Sequence, residues 1–242
     1  MKYSIIIPAL NEEKLLPQLL DQLANPLLME KYGYQIIISD GQSTDQTVKL
    51  AKKYPGVSIV YSESEMQNIA GGRNRGAEKA AGDILIFTNA DVMFNDPEKF
   101  FLFLENKFIP SDYSALTCKV KVFPAEQIFS DIVFHWIYNN YFRLLNFIGL
   151  GMGRGECQVI RKEIFLKAGG YNEDLAAGED FDLFKRIRRF SKILFTNKLC
   201  VYESPRRFRK IGYFKVTWSW IANAFAVIFK NKSISNEWEQ IR

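Results

Sequence analysis

The sequence predicts an α/β fold: a mostly parallel central sheet with helices on both faces. Three observations carry this. Short, almost wholly apolar runs recur at Tyr3–Pro8, Gln35–Asp40, Val57–Tyr61 and Asp83–Thr88. Segments of helical periodicity separate them. The first, second and fourth runs end abruptly in polar residues, as strands do when they leave a core at a ligand-binding rim. With 242 residues, 48% of them apolar, the chain can bury the core of one large domain, residues 1–242.

The elements follow in order. Glu13–Ala24 carries Leu15, Leu16, Leu19, Leu20 and Leu23 at helical spacing. Ser43-Thr44-Asp45-Gln46 reads as a capping box opening a helix to Tyr54, which Pro55-Gly56 closes. Ile69–Ala81 is a Gly- and Ala-rich helix, and Asp96-Pro97-Glu98 starts another with proline at its first position. The second half is less regular. Ala115–Phe123 alternates as a half-exposed strand, with Cys118, Val120 and Val122 against Lys119 and Lys121. A long aromatic helix spans about 126–148, Gly169-Gly170 stops a short helix, and Glu179–Phe190 is a further helix. Ile193–Thr196 and Leu199–Glu203 are short strands, and an apolar helix covers 213–230.

Two of these helices have wide apolar arcs. In the aromatic helix Asp131, His135, Asn139, Arg143 and Asn146 fall on one narrow polar stripe. In the last helix the stripe is Lys215, Ser219 and Asn223. Such arcs suit packing on two sides, a dimer contact or a bilayer interface. Trp218, Trp220, Ile221, Phe225, Ile228 and Phe229, near Lys210, Lys215, Lys230 and Lys232, fit the headgroup boundary.

Composition excludes several classes. The formal charge of +5 suits an anionic ligand or surface, but acidic residues interspersed over most of the chain argue against nucleic acid. Cys118, Cys157 and Cys200 are widely spaced, without a CxxC pair, and read as reduced thiols. With His135 as the only histidine, a Ser-His-Asp triad or histidine-rich metal site is not expected. Asn11-Glu12-Glu13 cuts the first apolar run too short for a secretory signal, and no segment reaches the ~20 apolar residues of a membrane span. A cytoplasmic protein is expected, with a peripheral position at the inner face of the membrane as an extension.

Ligands of open parallel sheets bind at the carboxyl ends of the strands. There the chain places Pro8-Ala9-Leu10-Asn11-Glu12-Glu13, Ser39-Asp40-Gly41-Gln42-Ser43 and Asn89-Ala90-Asp91. Between them lies Ala70-Gly71-Gly72-Arg73-Asn74-Arg75-Gly76, whose arginines suit phosphate. A carboxylate at the tip of so apolar a strand as Ile84–Phe87 needs a cation.

"SIIIPALNEE", "IIISDGQSTDQT", "GGRNRGAEKAAGD", "FTNADV" and "GGYNEDLAAGEDFDLFKR" together resemble the family 2 glycosyltransferases of the GT-A fold, a Rossmann-like architecture, over roughly residues 3–190. The resemblance implies an inverting transfer from a nucleotide-diphosphate sugar, assisted by Mn²⁺ or Mg²⁺, to an acceptor nucleophile. The Trp- and Lys-flanked last helix adds the expectation that this acceptor is lipid-linked or membrane-associated. It implies a nucleotide-sugar-binding half at 1–112, an acceptor and catalytic half at 113–210, and a C-terminal amphipathic helix at 211–242. Pro8, Ala9, Asn11 and Glu12 would line the nucleoside pocket, Asp40 would bind the base, and Arg73 and Asn74 would enclose the nucleotide. Asn89-Ala90-Asp91 matches the family's Asp-x-Asp motif with Asn89 in place of the first Asp, leaving Asp91 as the direct metal ligand. Asp180 would be the base and Glu179 its supporting neighbour, while Arg206 and Arg207 would clamp the diphosphate. Two rivals stand beside this. A sugar-phosphate nucleotidyltransferase lacks its Gly-rich, Lys-containing loop here. A catalytically weak nucleotide-sugar-binding or interaction protein of the same fold has Asn89 in its favour.

Overall fold

The computed structural model describes residues 1–62 and 68–230, the side chains of 224, 225 and 227–230 excepted. Its strands are β1 (Tyr3–Ala9), β2 (Tyr34–Asp40), β3 (Val57–Tyr61), β4 (Ile84–Phe87), β5 (Val92–Phe94), β6 (Tyr113–Val122), β7 (Gln158–Arg161) and β8 (Lys192–Glu203). Its helices are α1 (Leu16–Leu23), α2 (Pro26–Tyr32), α3 (Thr47–Ala51), α4 (Ile69–Glu78), α5 (Pro97–Phe103), α6 (Phe129–Phe147), α7 (Lys162–Lys167), α8 (Glu179–Arg188), α9 (Arg206–Ile211) and α10 (Tyr213–Lys230). A π-helical turn, Leu104–Phe108, prolongs α5.

One sheet runs through the molecule in the order β3-β2-β1-β4-β7-β6-β8-β5. The first four strands are parallel neighbours, with Ala9 opposite Asp40 and Ile6 opposite Phe87. Their alternation serves two cores. Ile5, Ile7, Ile36, Ile38 and Ile86 face the layer that contains Leu16, Leu19, Leu20, Leu23 and Phe101. Ile6, Ile37, Leu85 and Phe87 face the layer built on α4, α7 and α8. Both sides of β1, β2 and β4 are buried, which is why these strands read as continuous apolar runs, whereas β3 at the sheet edge is half-exposed.

The second half is mixed. β7 is antiparallel to both β4 and β6, while β8 is parallel to β6 and antiparallel to β5. Four details depart from the sequence reading. The segments at 193–196 and 199–203 are one strand, broken only by a register shift opposite Cys118 and Lys119. β5 and β7 are strands that were not expected. α2 was also missed, although Asn25 caps it through bonds from Leu27 N and Leu28 N, Pro26 opens it and Gly33 closes it at φ 64°. The expected capping box does not form: α3 begins only at Thr47, whose N–H is taken by Asp45 Oδ1 at 2.9 Å, because Ser43 and Thr44 are tied to Asn11 instead.

α6 lies on the protein with its polar stripe inward. Asp131, His135, Asn139 and Asn146 are buried, while Arg143 is exposed. Asn139 exchanges bonds of 3.0 and 2.8 Å with Val120 N and O, and Asn146 does the same with Met152 at 2.9 and 2.8 Å. Trp220 of α10 packs against Phe134, Tyr138 and Phe208 and so is not part of an outward apolar face. Phe225, Ile228, Phe229, Lys230 and Lys232 lie outside the described side chains. Among the described residues no helix is long and apolar enough to cross a membrane.

Candidate active site

The parallel strands β1, β2 and β4 carry their polar tips to one rim. Asn11 and Gln42, just beyond β1 and β2, are the non-glycine residues with left-handed backbones among those described, at φ 53° and 69°. That conformation is costly for a residue with a Cβ and recurs where a site must be shaped. Asn11 Oδ1 accepts from Thr44 N at 2.7 Å, and Asn11 N donates to Ser43 Oγ at 2.9 Å, so this carboxamide knits the two tips together. Asp40, buried at the end of β2, accepts from Gln42 N and Ser43 N at 3.1 Å each. Pro8 and Ala9 form the last two positions of β1 beside it.

At the tip of β4, Asp91 Oδ2 lies 3.1 Å from Arg206 Nη2, and the same nitrogen is 2.5 Å from Glu12 Oε1. The first residue of α9 thus bridges the β1 and β4 tips with its guanidinium. Desolvation raises the pKa of Asp91, against the pull of Arg206. Among the described residues no group of three or more His, Cys, Asp or Glu is placed to hold a metal. One carboxylate, completed by diphosphate oxygens and water, is nevertheless a set that Mg²⁺ and Mn²⁺ accept. The residues fit an ion that arrives with a diphosphate. Arg207 follows on α9.

The opposite wall comes from α8. Gly178, at φ 84°, turns the chain into the helix in a conformation that favours glycine, and Glu179 and Asp180 occupy its first turn. Asp180 accepts from Gly155 N at 3.1 Å through Oδ2 and from Phe181 N at 2.8 Å through Oδ1. Desolvation, and next the charge of Glu179, push its pKa up to about 7. A carboxylate tuned to neutrality is suited to take a proton.

Arg73 is held by protein groups on several sides. It is wholly buried beneath the rim, 2.8 Å from Glu179 Oε1, 3.0 Å from Asn89 Oδ1 and 3.1 Å from Gly155 O, with its guanidinium over the Tyr171 ring. A buried charge needs such partners. It is a strut joining the β4 tip to α8. Asn74 bonds Tyr171 O and N at 2.9 Å each and Glu173 Oε1 at 2.7 Å, fastening the turn after Gly170. Asn89 gains a physical explanation, since a carboxamide oxygen accepts from Arg73 without adding a second buried carboxylate beside Glu179. Ala90 is buried between the two polar tips.

The sequence reading missed the Arg154-Gly155-Glu156 turn. Gly155 holds Asp180 by its N–H and Arg73 by its carbonyl, and a Cβ there would lie 2.8 Å from Arg73 Nη2. Buried Arg154 pairs with Glu156 at 3.3 Å and with Glu203 at 3.1 Å. Desolvation raises Glu203 well above the usual carboxylate range, and neighbouring Glu156 adds to it. His135 sits 3.7 Å from Glu203 with both ring nitrogens unpartnered, and burial pushes its pKa down to about 3. The glycine-punctuated "GLGMGRGE" was the available signal for this turn.

The family model described as Glycosyl transferase family 2 matches residues 4–167. Two similar curated proteins are the poly(ribitol-phosphate) beta-N-acetylglucosaminyltransferase TarS of Staphylococcus aureus and the poly(ribitol-phosphate) beta-glucosyltransferase of Bacillus spizizenii. TarS is 31% identical over 99 residues, covering 39% of this chain and 17% of its own length. The Bacillus protein is 34% identical over 95 residues, covering 38% and 15%. The chain thus spans under a fifth of either relative. The fold is shared with S. aureus TarS 1–349 bound to UDP-GlcNAc, at TM-score 0.63 and 20% identity over 84% of this chain and 58% of that one. A mannosyltransferase from Pyrobaculum calidifontis, solved with GDP-Man and Mn²⁺, matches at TM-score 0.71 and 19% identity over 96% and 65%.

Proposed function

The chain belongs to glycosyl transferase family 2, and from that premise we propose that it is an inverting, divalent-metal-assisted transferase using a nucleotide-diphosphate sugar. One observation carries the reading. Two desolvated carboxylates from different halves of the chain, Asp91 and Asp180, both feel the charge of Glu156 and have opposite provisions. Asp91 has a cation beside it, whereas Asp180 has only backbone N–H donors and a pKa near 7.

In this reading the tips of β1 and β2 hold the nucleoside and Asp91 faces the diphosphate. A bound Mn²⁺ or Mg²⁺ neutralises charge developing on the leaving diphosphate. Arg206 gives up its contacts with Asp91 and Glu12 and, with Arg207, turns to the phosphate oxygens, which guanidinium matches bidentately. Asp180 takes the acceptor's proton as the acceptor oxygen bonds to the anomeric carbon and the bond to diphosphate breaks. Glu179, locked by Arg73, keeps Asp180 basic through its charge and does not itself receive the proton. The acceptor is proposed to be lipid-linked or made at a membrane, the enzyme acting as a peripheral protein on the cytoplasmic side.

Titration with UDP-, GDP- and dTDP-sugars, with and without Mn²⁺, tests this. We expect one nucleotide class to bind more tightly with the metal. Binding to none would favour the second reading, an interaction protein, for which Asn89 in the metal motif is the specific observation.

A further inference from the structure

The inverted α6 leaves its apolar arc in solvent. Phe129, Ile132, Trp136, Ile137, Leu144 and Phe147 are exposed, Trp136 by 67% and Phe147 by 86%. α10 packs beside it through Trp220 and adds exposed Phe214 and Trp218. An ordinary surface helix turns such an arc to the core, and a contiguous exposed apolar surface of this kind marks an interaction site.

Charge identifies the occupant. Over residues 128–153 and 205–230 the one carboxylate is Asp131, which is buried and ion-paired with Arg209. The exposed charges on these segments include Arg143, Lys210 and Lys215, which enter no ion pair among the described residues. A second copy docking through the same patch would set these cations against one another with no exposed carboxylate on these described segments to meet them. An anionic bilayer surface offers each a phosphate and takes the aromatic rings at the headgroup boundary. With no described helix able to cross, α6 and α10 would lie along that surface.

We propose that α6 and α10 form a docking face for an anionic lipid surface. Trp136, Phe147, Phe214 and Trp218 are its immersed anchors, and Arg143, Lys210 and Lys215 its headgroup contacts. The inference rests on the peripheral-location part of the proposed function and not on the donor site. It also places the two near each other: α9 holds Asp91 and Glu12 through Arg206, and Asp131 of the docking helix through Arg209. A lipid-borne acceptor would therefore arrive within one short helix of the diphosphate clamp.

Co-sedimentation of the full chain tests it, with vesicles of phosphatidylcholine alone and of phosphatidylcholine mixed with phosphatidylglycerol. The expected result is binding to the mixed vesicles that weakens with salt. Lys210→Glu and Lys215→Glu should each weaken it at least about fivefold. Replacing Trp136, Phe147, Phe214 and Trp218 with Ser should release the protein while its circular dichroism stays that of the parent. Nucleotide-sugar titrations run in parallel keep failure of this inference apart from failure of the donor reading. Failure of the parent to sediment with mixed vesicles would overturn the proposal, as would charge reversals that bind like the parent. A parent dimer seen by light scattering that the four Ser substitutions convert to monomer would assign the face to a second copy instead.

Discussion

Asp91 follows the tip of β4 and Asp180 opens α8, and desolvation raises both. Their neighbours differ. Asp91 ends a parallel strand of the first half and leans on Arg206, a cation that can be exchanged for another. Asp180 opens a helix of the second half, and the nearby cation Arg73 is already bound to Glu179, so repulsion from Glu179 is left to act on it. Shared desolvation thus yields two chemistries: a carboxylate that holds positive charge and one that exchanges a proton near neutrality.

The largest test of this contrast is Asp180→Asn, which keeps the shape and removes the base. Turnover should fall by about 10²–10⁴-fold with little change in donor affinity, as measured by steady-state kinetics and calorimetry. The wild-type enzyme should also show kcat/KM climbing as pH rises toward about 7, because Asp180 must lose its proton before it can accept one. The limb should be absent from the variant. A flat wild-type profile across that range would break the comparison.

Arg73→Met sharpens it from beneath. Removing one partner of a buried pair leaves Glu179 uncompensated, and the expected loss is roughly 3–5 kcal/mol of stability by denaturant unfolding. In the fraction that folds, an unpaired Glu179 should move the kcat/KM limb to higher pH. An unchanged limb would mean that Glu179 does not set the basicity of Asp180.

Legibility in the sequence divides along the same line. The first half reads well because parallel strands buried on both faces and Leu-striped α1 announce themselves by periodicity alone. The polar tips that hold Asp40 and Asp91 follow from where those strands stop. In the second half, periodicity found α6 and its polar stripe but not which side faced inward. Asn139 and Asn146 are drawn in by backbone groups of Val120 and Met152, partners distant from any local pattern. The partners of Arg73 were hidden for a related reason: an arginine beside glycines suits phosphate, and only the fold reveals Glu179, Asn89 and Gly155 around it. β7 has four residues and β5 three, too short to show alternation.

The smallest predicted effect concerns His135, buried beside Glu203. Its folded pKa of about 3 lies below the ordinary 6.5. Between those values the unfolded chain takes up a proton that the folded one refuses, so His135 makes stability fall as pH drops through that window. Glu203, raised, acts in the opposite sense. His135→Leu should therefore flatten the acid side of the wild-type stability curve, read as urea midpoints between about pH 7 and about pH 4. A variant curve as steep as the wild type would remove His135 from the account.

The division of labour between the two carboxylates is tested most directly by calorimetric titration of the preferred nucleotide sugar, with and without Mn²⁺, into Asp91→Asn and Asp180→Asn. Asp91→Asn should lose the metal-dependent gain in affinity while Asp180→Asn keeps it. The reverse pattern, or an equal loss in both, would contradict it.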